Sequence, residues 1–543
     1  MAELTFSRDE VETAAEVGPW RLQREFSSEI DPDDMGDTAR VYQRAAGEAA
    51  DTGELAERAT EIAEDSGGAD GATLVDGGQR DGRTAAELAG NGEDMDRVSR
   101  YLDRAMRAAE DTEVDVRSMI VDYLELRYAE HLASAEAEYQ RRTNLSYFVG
   151  GERQTVEYTD EARPDEPAIA AEIRSRYLGF AAEDAQYAHF SMTSDIDEYR
   201  RLLTQYGQEL DELGYDVTAG PLTLWTSPEM ARYAAEGLRE TLTLGGDPEL
   251  VEFYTETLRA MADDVMANVA TADPRSLSVS ESRYLEEFFA ALDPATLAAL
   301  GNLPADGLSE EDATRLARGQ SAVGDGVMML LNTDINVPDP EAPHRNDALR
   351  AFTPYLAQLD GPLFENEPDS AEFREALTNY NGFGELLTHA TVPADDGSSR
   401  RLAETALTVQ ERSSEQYRPD TFPWVFDSAP DDIVENTGSG GLLSGAGRNQ
   451  DTANDLLSDS DFTDRLLGRQ WGDSAGVADF VGRGTTHRPP ELDNGVVYGP
   501  ARDAVLAAAD DHEDQVAGSG HQAEYGHVDH PELRDVLDGL RDR

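Results

Sequence analysis

The 543-residue sequence contains no cysteine and no lysine. Without cysteine it can form neither a disulfide nor a thiolate zinc site, which leaves the redox compartment open. Without lysine, all 45 basic residues are arginine, set against 111 aspartates and glutamates for a formal charge of −66. No apolar run approaches the roughly eighteen residues that a membrane-spanning helix needs. Residues 1–30 also lack the basic start and apolar run of a Sec-type signal peptide. The expectation is a soluble chain without membrane insertion.

The charge narrows the partners. A phosphate backbone is held by a basic footprint that this chain lacks, so nucleic acid is not expected, and anionic membrane surfaces are disfavoured for the same reason. At low salt such a surface repels itself. Near ~1 M ionic strength the screening length falls to ~3 Å and most of that repulsion disappears. The composition therefore points to a halophilic or brine-exposed protein. With 39% hydrophobic residues the chain can still bury real cores, and its length suggests two to four domains or one extended assembly.

Helical periodicity dominates what is present. Ser7 and Glu10 stand at capping-box spacing, so a short helix starts there, and Gly18-Pro19 stops it. Trp20, Leu22 and Phe26 follow. A second helix is predicted from Thr38 to about Asp65, and 66–82 is a Gly/Asp-rich loop. Met95, Val98, Leu102, Ala105, Ala109, Thr112, Val116, Met119, Tyr123 and Leu126 then alternate three and four apart, an a/d heptad carried along a helix at about 93–141. Such a helix is on the order of 70 Å long and must lie against a partner. The nearest candidate is the helix at 38–65 folded back on it.

The reading is all-α: a long N-terminal helical hairpin over 1–145, a linker at 146–167, a multi-helix domain over 168–418 and a loop-rich helical region over 419–543. Helices are predicted near 168–187, 195–213, 228–243, 247–270, 279–291, 309–331, 346–359, 381–390 and 399–416. The only strand-like runs are brief, such as "PLTLW" at 221–225. No internal repeat has a stable period.

No catalytic motif stands out. The glycine-rich "GSGGLLSGAG" at 438–447 lacks a P-loop lysine and follows no predicted strand, so it reads as a flexible or capping loop. Ser444 is not in a G-x-S-x-G turn. His521, His527 and His530, with Asp529 among them, are weak metal candidates whose plainer reading is a polar loop. Trp225, Trp424 and Trp471 each adjoin apolar groups and read as core or staple residues.

Several phrases together resemble a known group. "LTFSRDEV", "GPWRLQREF", "DPDDMGDTARVYQRAA" and "LAGNGEDMDRVSRYLDRA" look like the opening of large helical actinobacterial proteins associated with type VII secretion, related to the small Trp-x-Gly (WXG-like) secreted hairpins. "YLEEFFAALDPATLAALG", "RNDALRAFTPYLAQLD", "NGFGELLTHA" and "LSGAGRNQDTANDLLSDSDFTDRLLGRQW" extend the similarity over most of the chain. Some members of the group are labelled tetratricopeptide-repeat-region proteins, but no 34-residue pattern is found here. No Trp-x-Gly turn joins the hairpin helices, and the one Tyr-x-x-x-Asp/Glu match, Tyr525 to Asp529, lies near the other end of the chain.

The resemblance implies a non-enzymatic protein, secreted or at the cell envelope, whose hairpin docks a helical partner or a second copy, with no cofactor; the cytoplasm stands as the other location. Trp20, Leu102, Val116, Met119, Tyr123 and Leu126 are its candidate packing residues, with Trp20 plugging the first short helix against the hairpin. The rival readings are a secreted toxin or enzyme using His487, His512, His521 and His527 in the C-terminal part, and a structural or surface component of a halophile.

Overall fold

The chain opens as the capping signals predict. In the computed structural model, Ser7 Oγ accepts from the Glu10 amide at 3.2 Å while Glu10 Oε2 accepts from the Ser7 amide at 2.8 Å, which starts α1, Arg8–Ala15. Glu16 closes it in the left-handed region at φ 58°. Gly18 then caps α2, Pro19–Glu29, with proline at its first position, where no amide hydrogen is missed. The structure describes residues 4–30, 39–46 except 42, 95–143 except 96, 146–149, 152–155, 165–212, 225–267, 275–305, 307–335, 370–416, 437–468, 471, 474–486, 499–512 and 531–541. They fall into two units, Met1–Leu210 and Asp211–Arg543. Apart from one β-hairpin, every regular element among the described residues is a helix, as the periodicity predicts.

The first unit is built on two long antiparallel helices. Helix α3 occupies 97–143 and α4 is Glu166–Glu212, 47 residues and therefore about 70 Å long. Between them β1, Ser146–Val149, pairs antiparallel with β2, Glu152–Thr155, inside the segment read as a linker. The direction of α4 against α3 follows from the contacts. Tyr101 donates to Glu209 at 2.6 Å, Tyr123 to Asp184 at 2.9 Å and Arg142 to Glu172 at 3.1 Å. Along α4 the buried positions Ala181, Ala185, Ala188, Met192, Ile196, Tyr199 and Leu203 continue the same three-and-four spacing.

Two expectations change here. Along its length α3 is covered by α4, from beyond the expected linker; the cover expected for it was the helix at 38–65. Of that helix the structure describes residues 39–46, where the Ala39 carbonyl accepts from Ser99 Oγ at 2.9 Å; the rest lies outside the described residues. The helices expected at 168–187 and 195–213 are one. No glycine or proline interrupts "AHFSMTS" between them, and Ala188, Met192 and Ile196 carry the seam straight through.

The second unit contains α5 (Pro228–Thr243), α6 (Pro248–Met266), α7 (Val279–Ala291), α8 (Pro294–Gly301), α9 (Glu310–Leu330), α10 (Ala371–Thr388), α11 (Asp396–Gln416), α12 (Thr437–Ala446), α13 (Gln450–Leu457), α14 (Ser460–Leu467), α15 (Ala475–Thr486), α16 (Pro500–Asp511) and α17 (Pro531–Arg541). Side-chain caps from Ser227, Asp247, Ser278, Asp293, Ser309 and Ser370 start its helices. The helix expected at 346–359 lies outside the described residues.

The largest correction concerns "GSGGLLSGAG". It is no loop: residues Gly438–Ala446 of α12 are all buried, and the helix packs against α10, α11 and α15. Its glycines weaken the isolated helix, yet they let neighbouring backbones touch. A Cβ added at Gly441 would stand 2.0 Å from the Gly384 carbonyl oxygen, and one at Gly476 of α15 would stand 1.9 Å from that of Gly440. Trp225 and Trp471 are buried in this unit, the latter donating to the Leu466 carbonyl at 2.9 Å, while Trp424 lies outside the described residues.

Gly441→Ala should therefore destabilise the second unit by about 3 kcal/mol or more, because backbone cannot yield to the methyl group. Gly179→Ala, in open space on α4, should instead stabilise the first unit by about 0.5–1 kcal/mol through helix propensity. Denaturant unfolding of the two variants separates the effects; equal outcomes would contradict the close packing.

Candidate functional site

The heptad of α3 does not run unbroken. Val98, Leu102, Ala105, Ala109 and Val116 are buried as their spacing predicts. At Met119–Leu124 the helix widens into a π turn, in which the Glu125 amide donates to the Ile120 carbonyl. The widened turn moves the seam one residue along. Ile120 and Leu124 take the buried places expected for Met119 and Tyr123, which are half-buried, and Leu126 is 59% exposed. Downstream the seam continues through half-buried Tyr128 and buried His131 and Ala135.

The π turn aims a set of polar side chains at one carboxylate. Asp184 of α4 accepts from the Tyr123 hydroxyl at 2.9 Å and from Arg127 Nε at 3.1 Å, and its Oδ2 lies 2.6 Å from His131 Nε2. Burial opposes ionisation of Asp184, but the hydrogen bonds from His131 and Tyr123 and the Arg127 charge outweigh it and hold the carboxyl below its ordinary range. Burial and the bond to Asp184 push the Tyr123 hydroxyl up. Rings enclose the cluster: Tyr123 meets Tyr187 at 5.3 Å, and Phe180 meets Tyr177 at 5.7 Å and His131 at 6.1 Å. This arrangement ties α3 to α4 at one register.

Trp20 sits beside this cluster as a plug. It is buried, and its indole Nε1 donates to Glu125 Oε1 at 2.7 Å, while Arg8 holds the other oxygen at 2.8 Å. The ring meets Tyr128 edge-on at 6.2 Å, and the Tyr128 hydroxyl donates to the Phe6 carbonyl at 2.6 Å. Further along, Gln186 donates to the Ala15 carbonyl at 3.0 Å, and Arg200 pairs with Glu29 at 2.7 Å. The first two helices thus run beside α4 in its own direction.

The face of α4 turned to solvent carries Phe180, Tyr187 and Phe190, which are 42%, 57% and 75% exposed. Phe180 and Tyr187 are two turns apart and Phe190 lies one turn further, so they form a single stripe. The sequence reading missed this stripe and the cluster behind it. The signal was there in Tyr123, Arg127 and His131, polar groups four apart on one helix face.

The second unit holds a separate polar cluster. Asp325 accepts from the Thr391 and Val392 amides, the latter at 2.8 Å, although burial still pushes its carboxyl up. Burial and nearby Arg483 pull Arg448 down against Asp479, which Ser444 reaches at 2.8 Å and Arg483 at 2.7 Å. His512 lies 3.9 Å from Asp464. His487, His521, His527 and His530 lie outside the described residues. Among the described residues no group of three or more His, Asp or Glu side chains is placed to hold a metal ion, and no helix is long and apolar enough to cross a membrane. Comparison of the chain with protein-family models, with curated proteins and with solved structures finds no match in any of the three.

Trp20→Ala should cost ~3 kcal/mol or more, as expected for emptying a tryptophan site; unchanged unfolding of the first unit would contradict the plug. Because the folded Asp184 pKa is lowered, its contribution to stability is present above the unfolded value near ~4 and is lost as pH falls through the folded value. The stability advantage of the native chain over Asp184→Asn should therefore shrink on acidification, read by melting the two in parallel over that range.

Proposed function

We propose that this chain is a non-enzymatic helical protein that uses its N-terminal unit to dock a helical partner, within or beside a type VII secretion system. The exposed aromatic stripe of α4 carries the docking half of this reading. Large rings held in water on a rigid helix are the usual mark of a contact surface. The polar cluster around Asp184 ties α4 to α3 beside the stripe, so the surface is preformed and binding needs little reordering. The secretion half rests on the resemblance of the opening phrases to the actinobacterial group, which implies export or attachment at the cell envelope. The −66 charge supports work at high salt, where self-repulsion is screened. No cofactor enters this reading.

Expression in an actinobacterial host with and without a functional type VII ATPase tests it. The full chain should reach the medium or envelope only when the ATPase is present. Retention inside the cell in both strains, or export in both, would overturn the secretion assignment.

A further inference from the structure

The charges around the aromatic stripe are unevenly matched. Its neighbouring arginines are spoken for: Arg127 pairs with Asp184 and Glu130, Arg176 with Glu172 and Glu138, and Arg201 with Glu198. Asp115, Asp122, Glu183 and Asp195 have no arginine partner among the described residues. Glu183 stands within the stripe, between Phe180 and Tyr187. Asp115 of α3 acts electrostatically on Asp195 of α4, whose carboxyl is pushed up by burial and then by that neighbour. Tyr123 against Tyr187 places the π-turn residues, with Asp122, at the level of the stripe.

An apolar stripe edged with surplus carboxylates selects its occupant. A partner that brought only apolar groups would strip water from these carboxylates and leave them unmatched, which is costly. A second copy of the chain would bring like carboxylates into direct contact, where partly buried like charges repel even when salt screens longer-range forces. Basic side chains flanking an apolar ridge satisfy both conditions. We infer that the outer face of α4 receives an amphipathic helix with apolar anchors along one side and arginine or lysine on its flanks, an inference that rests on the docking role proposed above. Phe180 to Phe190 spans about 15 Å, so three turns of the partner cover it. Its anchors then follow the i, i+3 or i+4, i+7 pattern of a helix laid along an apolar surface.

The test uses the full chain and two labelled synthetic helices of about eighteen residues, each on the order of 27 Å long. They share one leucine stripe and differ only in flanking arginines or glutamates. Binding is followed by fluorescence anisotropy at rising salt. The arginine-flanked helix should bind at least about tenfold more tightly, with the preference fading as salt screens the flanks. Phe190→Asp with Tyr187→Asp should abolish binding at unchanged helicity. Asp122→Asn with Glu183→Gln should cut the preference about threefold or more while binding persists.

Equal binding of the two helices at the stripe would overturn the charge inference and leave the docking role standing. Binding of neither, or binding indifferent to the aromatic substitutions, would overturn both. Sedimentation showing a dimer of the full chain that Phe190→Asp dissociates would overturn the inference in favour of a second copy.

Discussion

A helix about 70 Å long has no interior of its own, so α3 persists only because α4 covers it. Everything else in the first unit hangs on that antiparallel seam. The small and medium side chains of the seam, Ala105 and Ala109 on one helix and Ala181, Ala185 and Ala188 on the other, are all buried. An unmodified 3.6-residue helix drifts relative to a seven-residue repeat. The π turn at Met119–Leu124 introduces an offset at one place, and the polar groups around Asp184 fasten that place. The register defect and the polar cluster are thus one device.

Arginine does the work of lysine throughout this molecule. Its planar fork can bridge carboxylates on different helices, and the structure uses it so. Arg142 reaches Glu172, Arg200 reaches Glu29, and Arg275 joins Glu281 at 2.7 Å. The Glu281 carboxylate is buried, yet the bonds from Arg275 and the Ser278 amide overcome the burial penalty and hold it below its ordinary range. In a chain with 111 acidic residues and 45 arginines, there are too few arginines to give each carboxylate its own. Where the matches fall therefore says where helices are tied, and where they fail says which surfaces stay strongly negative.

Much of the architecture was legible in the sequence because helices announce themselves locally. Capping serines, joined at α5 by a proline at the first position, mark the starts of α1, α5 and α7. What resisted reading was anything decided by a distant partner. That α4 covers α3 depends on contacts that span the linker. The π turn has no local signature, so Leu126 was placed in the seam and stands in solvent. "GSGGLLSGAG" looked like a loop because glycine disfavours isolated helices; only the close approach of α10 and α15 makes glycine the residue that fits. The stripe of Phe180, Tyr187 and Phe190 escaped notice because periodicity finds buried faces and is silent about apolar groups on the opposite side.

Glycine contacts in the second unit have a mechanical side. Gly384 touches α12 and Gly440 of α12 touches Gly476 of α15, so these three helices meet backbone to backbone. Side chains between helices act as compliant padding, since their rotamers can shift to take up a displacement. Here that padding is missing along a continuous line. A load applied to α10 passes to α15 with little slack, and the three helices move as a block rather than sliding past one another.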